Sequence, residues 1–78
     1  MVRVLVVDDE REFTDLLSER LRTRGMEVQA AYNGQEALSA ARTFAPEVVV
    51  LDITMPGMSG LETLEALRSE KPAPEVIL

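Results

Sequence analysis

Apolar residues in this 78-residue chain fall into blocks that alternate between two spacings. Val2 to Val7 is a β-branched run broken only by Arg3, which fits a strand buried on both faces of a parallel sheet. Asp8, Asp9 and Glu10 end it. Phe13, Leu16, Leu17 and Leu21 then recur at helical spacing, with acids in the first turn, arginines at 20, 22 and 24, and Gly25 where a helix would stop. This pattern predicts an amphipathic helix whose apolar stripe enters the core.

Val28, Ala30 and Tyr32 predict a second, less apolar strand, and Asn33-Gly34 supplies turn chemistry and a cap for a helix carrying Ala37, Leu38, Ala41 and Phe44. Pro46 closes that helix. Val48 to Leu51 is an uninterrupted apolar run that stops at Asp52, as a central strand would. Pro56 and two glycines make Met55 to Gly60 a loop, and Leu61, Leu64 and Leu67 follow at helical spacing, read as core like the other helical leucines. After the connector Lys71-Pro72-Ala73-Pro74, Val76, Ile77 and Leu78 begin a fourth strand. Strands alternating with helices imply right-handed crossovers and a doubly wound, mostly parallel α/β sheet with helices on both faces.

Composition narrows the function. A chain of this length makes one domain, residues 1–78, and buries only about 60% of its unfolded surface, so its stability is expected to be marginal. Eight Lys plus Arg against fourteen Asp plus Glu give a formal charge of −6, which repels nucleic-acid phosphates. Without cysteine or histidine the chain has no disulfide, thiolate or imidazole metal site, Cys nucleophile or Ser/His triad. Its apolar runs fall well short of the roughly 20 residues that cross a bilayer, and no secretion signal precedes Val2, so a cytoplasmic location is expected.

The candidate chemistry lies at strand ends. Asp8 and Asp9 follow the first strand and Asp52 follows the third, on the side of a doubly wound sheet where ligands bind. If those two strands are neighbours, about 4.8 Å apart, the carboxylates converge. Three gathered carboxylates repel, and a proton or a cation must relieve them. Magnesium suits an all-oxygen site and bridges carboxylates to phosphate. A strand-end carboxylate can also act as nucleophile in phosphoryl transfer, giving an acyl phosphate. Asp52 stands alone and is the better nucleophile, whereas adjacent Asp8 and Asp9 look like a metal-holding pair.

With these residues in hand, the sequence resembles the receiver domains of bacterial two-component response regulators along its whole length. The likeness rests on Val4-Leu5-Val6-Val7-Asp8-Asp9-Glu10, on Ala31-Tyr32-Asn33-Gly34-Gln35-Glu36-Ala37-Leu38, and on Val50-Leu51-Asp52-Ile53-Thr54-Met55-Pro56-Gly57-Met58-Ser59-Gly60. By that resemblance Asp52 is the phosphoacceptor, Asp9 a direct Mg2+ ligand, and Asp8 a ligand acting through water. The Thr54 backbone carbonyl is a further ligand, and the Thr54 side chain flanks the phosphoryl group. The resemblance also implies the flavodoxin-like strand order 2-1-3-4-5, a sensor histidine kinase as phosphodonor, and a C-terminal output domain outside this chain. In the family the domain continues through the rest of strand four, a fourth helix, a fifth strand and a fifth helix. Only strands one to four and helices one to three are present here, so the chain is expected to be a receiver cut at strand four, and self-association through the bared edge is expected.

Blander alternatives attach to several of these features. Acids after a strand are favoured by the following helix dipole, and a lone strand-end Asp is more often a helix cap or turn residue. Met55 and Met58 are packing residues, since thioethers are poor partners for magnesium. Gly57 and Gly60 form no nucleotide-binding loop, because neither the dinucleotide fingerprint nor a Walker lysine is present. Two rival functions remain: an Asp-nucleophile phosphohydrolase, whose motif needs a second acid where this chain has Thr54, and a degenerate receiver that serves only as an interaction module.

Overall fold

A computed structural model of the protein describes residues 1–54 and 59–78; the expected loop residues Met55, Pro56, Gly57 and Met58 lie outside the described residues. In chain order the elements are β1 (Arg3–Val7), α1 (Arg11–Thr23), β2 (Glu27–Ala31), α2 (Gly34–Phe44), β3 (Val48–Leu51), α3 (Gly60–Arg68) and β4 (Glu75–Ile77). The strands pair in parallel in the order β2-β1-β3-β4. This is the expected doubly wound topology over its first four strands. Because the order reverses after β2, right-handed crossovers put α1 on one face and α2 with α3 on the other.

The α2/α3 face holds the main core. Leu5, Val7, Val49 and Leu51 of the central strands meet Ala37, Ala40 and Ala41 of α2 and Leu64 and Leu67 of α3. Alternation along β1 turns Val4 and Val6 to the other face, and they too are buried. Both helices on the main core are capped by side chains: Asn33 accepts from the Glu36 amide at 2.8 Å, and Ser59 and Glu62 form a reciprocal capping box. Helix α2 ends as Pro46 requires, with Ala45 in the left-handed region at φ 50°.

Helix α1 departs from its expected packing. Its buried residues are Thr14 and Ser18, whereas Phe13 and Leu16 are 49% and 52% exposed. The buried face is rotated by about one residue, roughly 100°, from the apolar stripe, so Leu17 and Leu21 are only half-buried. The Thr14 hydroxyl lies 2.9 Å from the Asp8 carbonyl and 2.8 Å from the Glu10 carbonyl, tying the start of α1 to the residues that follow β1. In α3, likewise, Leu64, Leu67 and Thr63 are buried and Leu61 is exposed. Strand β4 begins one residue before the expected Val76, and Ile77 and Leu78 are exposed along the sheet edge.

Candidate functional site

Parallel register fixes the acids. Val7 of β1 pairs with Leu51 of β3, so the next residues, Asp8 and Asp52, leave the sheet side by side. Main-chain hydrogen bonds carry the ladder one step past both strands. The Asp52 amide donates to the Val7 carbonyl at 3.0 Å and the Asp8 amide to the Ala31 carbonyl at 3.2 Å. Backbone pairing thus anchors both acids.

The structure brings Asp8, Asp9 and Asp52 together: one carboxylate oxygen from each lies within 4.8 Å of the others. Asp8 and Asp52 are half-buried and Asp9 is exposed. Burial pushes the Asp8 carboxyl above its ordinary range, Asp52 and Asp9 add like-charge repulsion in the same direction, and the Glu10 amide at 3.0 Å on Asp8 Oδ1 partly offsets them. An all-oxygen cluster with unrelieved negative charge fits a hard divalent cation.

Thr54 does something the sequence did not announce. Its amide and its hydroxyl both donate to Asp52 Oδ1, at 3.0 and 2.9 Å, folding residues 52–54 into a turn closed by the Asp52 side chain. One carboxylate oxygen of Asp52 is thereby engaged, and the hydroxyl expected to flank a phosphoryl group sits against the Asp52 side chain.

Beside the acids, at the ends of β1 and β2, stands a second cluster. Arg11, the first residue of α1, lies over the Tyr32 ring at 4.0 Å from its centroid, and the Tyr32 hydroxyl donates to Asp15. The bond to Asp15 pushes the Tyr32 phenol above its ordinary range, and Arg11 opposes that shift. Sequence alone signalled none of this, because the partners come from α1 and from the end of β2.

The sequence profile of the response regulator receiver domain family matches residues 4–78. The chain is 48% identical over 77 residues to the probable transcriptional regulatory protein TcrX of Mycobacterium tuberculosis, spanning 99% of this chain and 33% of that one. Among solved structures it is similar to response regulator protein TrrA of Thermotoga maritima in complex with Mg2+-BeF, with 45% identity, a TM-score of 0.89, and coverage of 100% of this chain and 68% of that one. A chain in the crystal structure of histidine kinase ThkA in complex with TrrA matches at 45% identity and a TM-score of 0.88, covering 100% of this chain and 67% of that one. The chain therefore spans about a third of the length of the curated relative it matches.

Proposed function

The chain belongs to the response regulator receiver domain family, the input module of two-component signal transduction, and from that premise we propose that Asp52 accepts a phosphoryl group from a sensor histidine kinase. The observation that carries this is the convergence of the Asp8, Asp9 and Asp52 carboxylates at the ends of adjacent strands. Asp8, Asp9, Asp52 and the Thr54 main-chain carbonyl would hold Mg2+. Held there, the ion would offset negative charge on the phosphoryl group during transfer.

The chain's own residues supply the rest. Thr54 holds Asp52 Oδ1, which leaves Oδ2 to attack phosphorus in line. A bond forms between Oδ2 and phosphorus as the phosphorus–nitrogen bond of a phosphohistidine breaks, and the donor imidazole keeps the electron pair and takes up a proton. The product is an acyl phosphate on Asp52. The chain has no histidine, so the donor must come from another molecule or segment; the complex of the relative TrrA with a histidine kinase supports that partner.

This makes the domain a signalling acceptor that assists its own phosphorylation and dephosphorylation rather than an enzyme acting on other molecules. The similarity to a longer transcriptional regulatory protein supports an output domain beyond this segment. Among the described residues no helix is long and apolar enough to cross a membrane; a cytoplasmic location is part of the proposal and rests on the family. Thr54 occupies the position where a phosphohydrolase of this type would carry its second acid, and the gathered acids speak against a degenerate receiver.

Given Mg2+ and acetyl phosphate, the protein should gain one alkali-labile phosphate, and Asp52→Asn should gain none. Equal labelling of the two proteins contradicts the assignment.

A further inference from the structure

Gly60 marks the end of a loop in the sequence, and its place in the structure is tighter than a loop boundary needs. It is the first residue of α3 and it is buried. A methyl group built on its α-carbon would stand 2.0 Å from Ile53 Cα and 2.6 Å from the Ile53 carbonyl carbon and oxygen. All three atoms are main chain, so no rotamer change relieves the overlap. The requirement is steric, since among the described residues the glycine with a left-handed φ is Gly25.

Ile53 sits between the two residues that matter. Its carbonyl carbon is bonded to the Thr54 nitrogen, the same nitrogen that donates to Asp52 Oδ1 at 3.0 Å. On the other side of the contact α3 is firmly set: Ser59 and Glu62 cap it, the Thr63 hydroxyl donates to the Ser59 carbonyl at 3.0 Å, and Leu64 and Leu67 are buried in the core. A side chain at position 60 therefore displaces the less anchored partner, the peptide between Ile53 and Thr54, and with it the turn that holds the Asp52 carboxylate.

We infer that Gly60 is a positioning residue for the Asp52–Thr54 turn, its missing side chain being what lets the start of α3 press that turn into the geometry that receives metal and phosphate. This rests on the proposed function of Asp52, and it adds a residue that touches neither ligand.

The test is Gly60→Ala in the protein, with Leu67→Ala as a control that loosens the same helix without touching Ile53. Gly60→Ala should bind Mg2+ roughly 10- to 100-fold more weakly by calorimetry, the range for loss of a residue supporting a metal ligand, and take phosphate from acetyl phosphate more slowly by a similar factor. Both variants should melt at lower temperature, but folded Leu67→Ala should keep its Mg2+ affinity within about twofold, because the Ser59–Glu62 cap still sets the start of α3 against Ile53 when the far end of the helix loses a side chain. Unchanged Mg2+ affinity and labelling rate in folded Gly60→Ala overturn the inference, and so does an equal loss in Leu67→Ala. Wild-type protein supplies a check that does not depend on folding of a variant: on titration with Mg2+, the Gly60 amide resonance should move with the same midpoint as Thr54, and a Gly60 signal that stays still while Thr54 moves overturns the inference. Wild-type protein that neither binds Mg2+ nor takes phosphate defeats the proposed function and this inference together, whereas failure of the Gly60 arms alone defeats only the latter.

Discussion

The two ends of the parallel sheet treat charge in opposite ways. At the starts of the strands, polar groups find partners within the protein: Arg42 Nε lies 3.8 Å from Glu70 Oε2 in an ion pair, the Arg3 amide donates to Glu47 Oε1 at 3.1 Å, the Arg3 Nε donates to the Ala45 carbonyl at 3.0 Å, and the Glu47 and Glu75 main chains continue the ladder at 2.9 Å. At the strand ends, three carboxylates crowd together and the nearest cation in sequence, Arg11, is turned onto the Tyr32 ring. The first arrangement closes local demand for hydrogen bonds and charge. The second leaves like charges unrelieved among the described residues, which is the feature that the proposed cation site rests on.

Removing one of the crowded acids is the strongest way to break that contrast. Asp9→Ala should weaken Mg2+ binding by at least about tenfold, as loss of a ligand or its support does. The same change should raise the stability of the metal-free protein by a few tenths of a kcal/mol up to about 1, since it relieves exposed like charges. Mg2+ titration and thermal melts of the two proteins read both effects; equal Mg2+ affinity would show that Asp9 plays no part in the site. At the other end, Glu47→Ala should cost about 0.5 to 1 kcal/mol through the lost bond to the Arg3 amide. It should leave Mg2+ affinity unchanged, so a shift in affinity would mean that the two ends are not independent.

The smallest effect sharpens the contrast through pH. The folded-state pKa of Asp8 lies above its ordinary 3.8, chiefly through burial and then through its acidic neighbours. The folded protein therefore holds this proton more tightly than the unfolded chain does. The resulting stability is fully present below the unfolded value and is lost as pH rises through the folded one. Metal-free wild type should lose stability relative to Asp8→Asn across that window, an effect that solvent screening keeps small. Denaturant melts from acid to neutral pH check the sign: a difference that grows the other way would mean that the cluster favours the ionised form of Asp8.

The alternation of strands and helices was legible because the apolar runs at Val4 to Val7 and Val48 to Leu51 need cover on both faces and the intervening lengths suit helices, whereas the strand order came only with the family resemblance. The three acids were legible for the same reason, since each follows one of those runs directly. Helix α1 was misjudged because the apolar stripe of Phe13, Leu16, Leu17 and Leu21 differs by one residue from the stripe of Thr14, Leu17, Ser18 and Leu21 that packs, and hydroxyl residues do not look like core. The bonds from Thr54 to Asp52 Oδ1 are a local turn of the kind a strand-end Asp favours. The fit of Gly60 against Ile53 depends on where the start of α3 lies, a tertiary fact that residue spacing does not encode.

Borohydride reduction of the phosphorylated protein tests the central claim most directly, because it converts an aspartyl phosphate to homoserine and leaves free carboxylates untouched. After treatment with Mg2+ and acetyl phosphate, peptide mapping should find homoserine at position 52, with Asp8 and Asp9 intact. Homoserine at position 8 or 9, or a phosphorylated protein that yields none, would contradict the account.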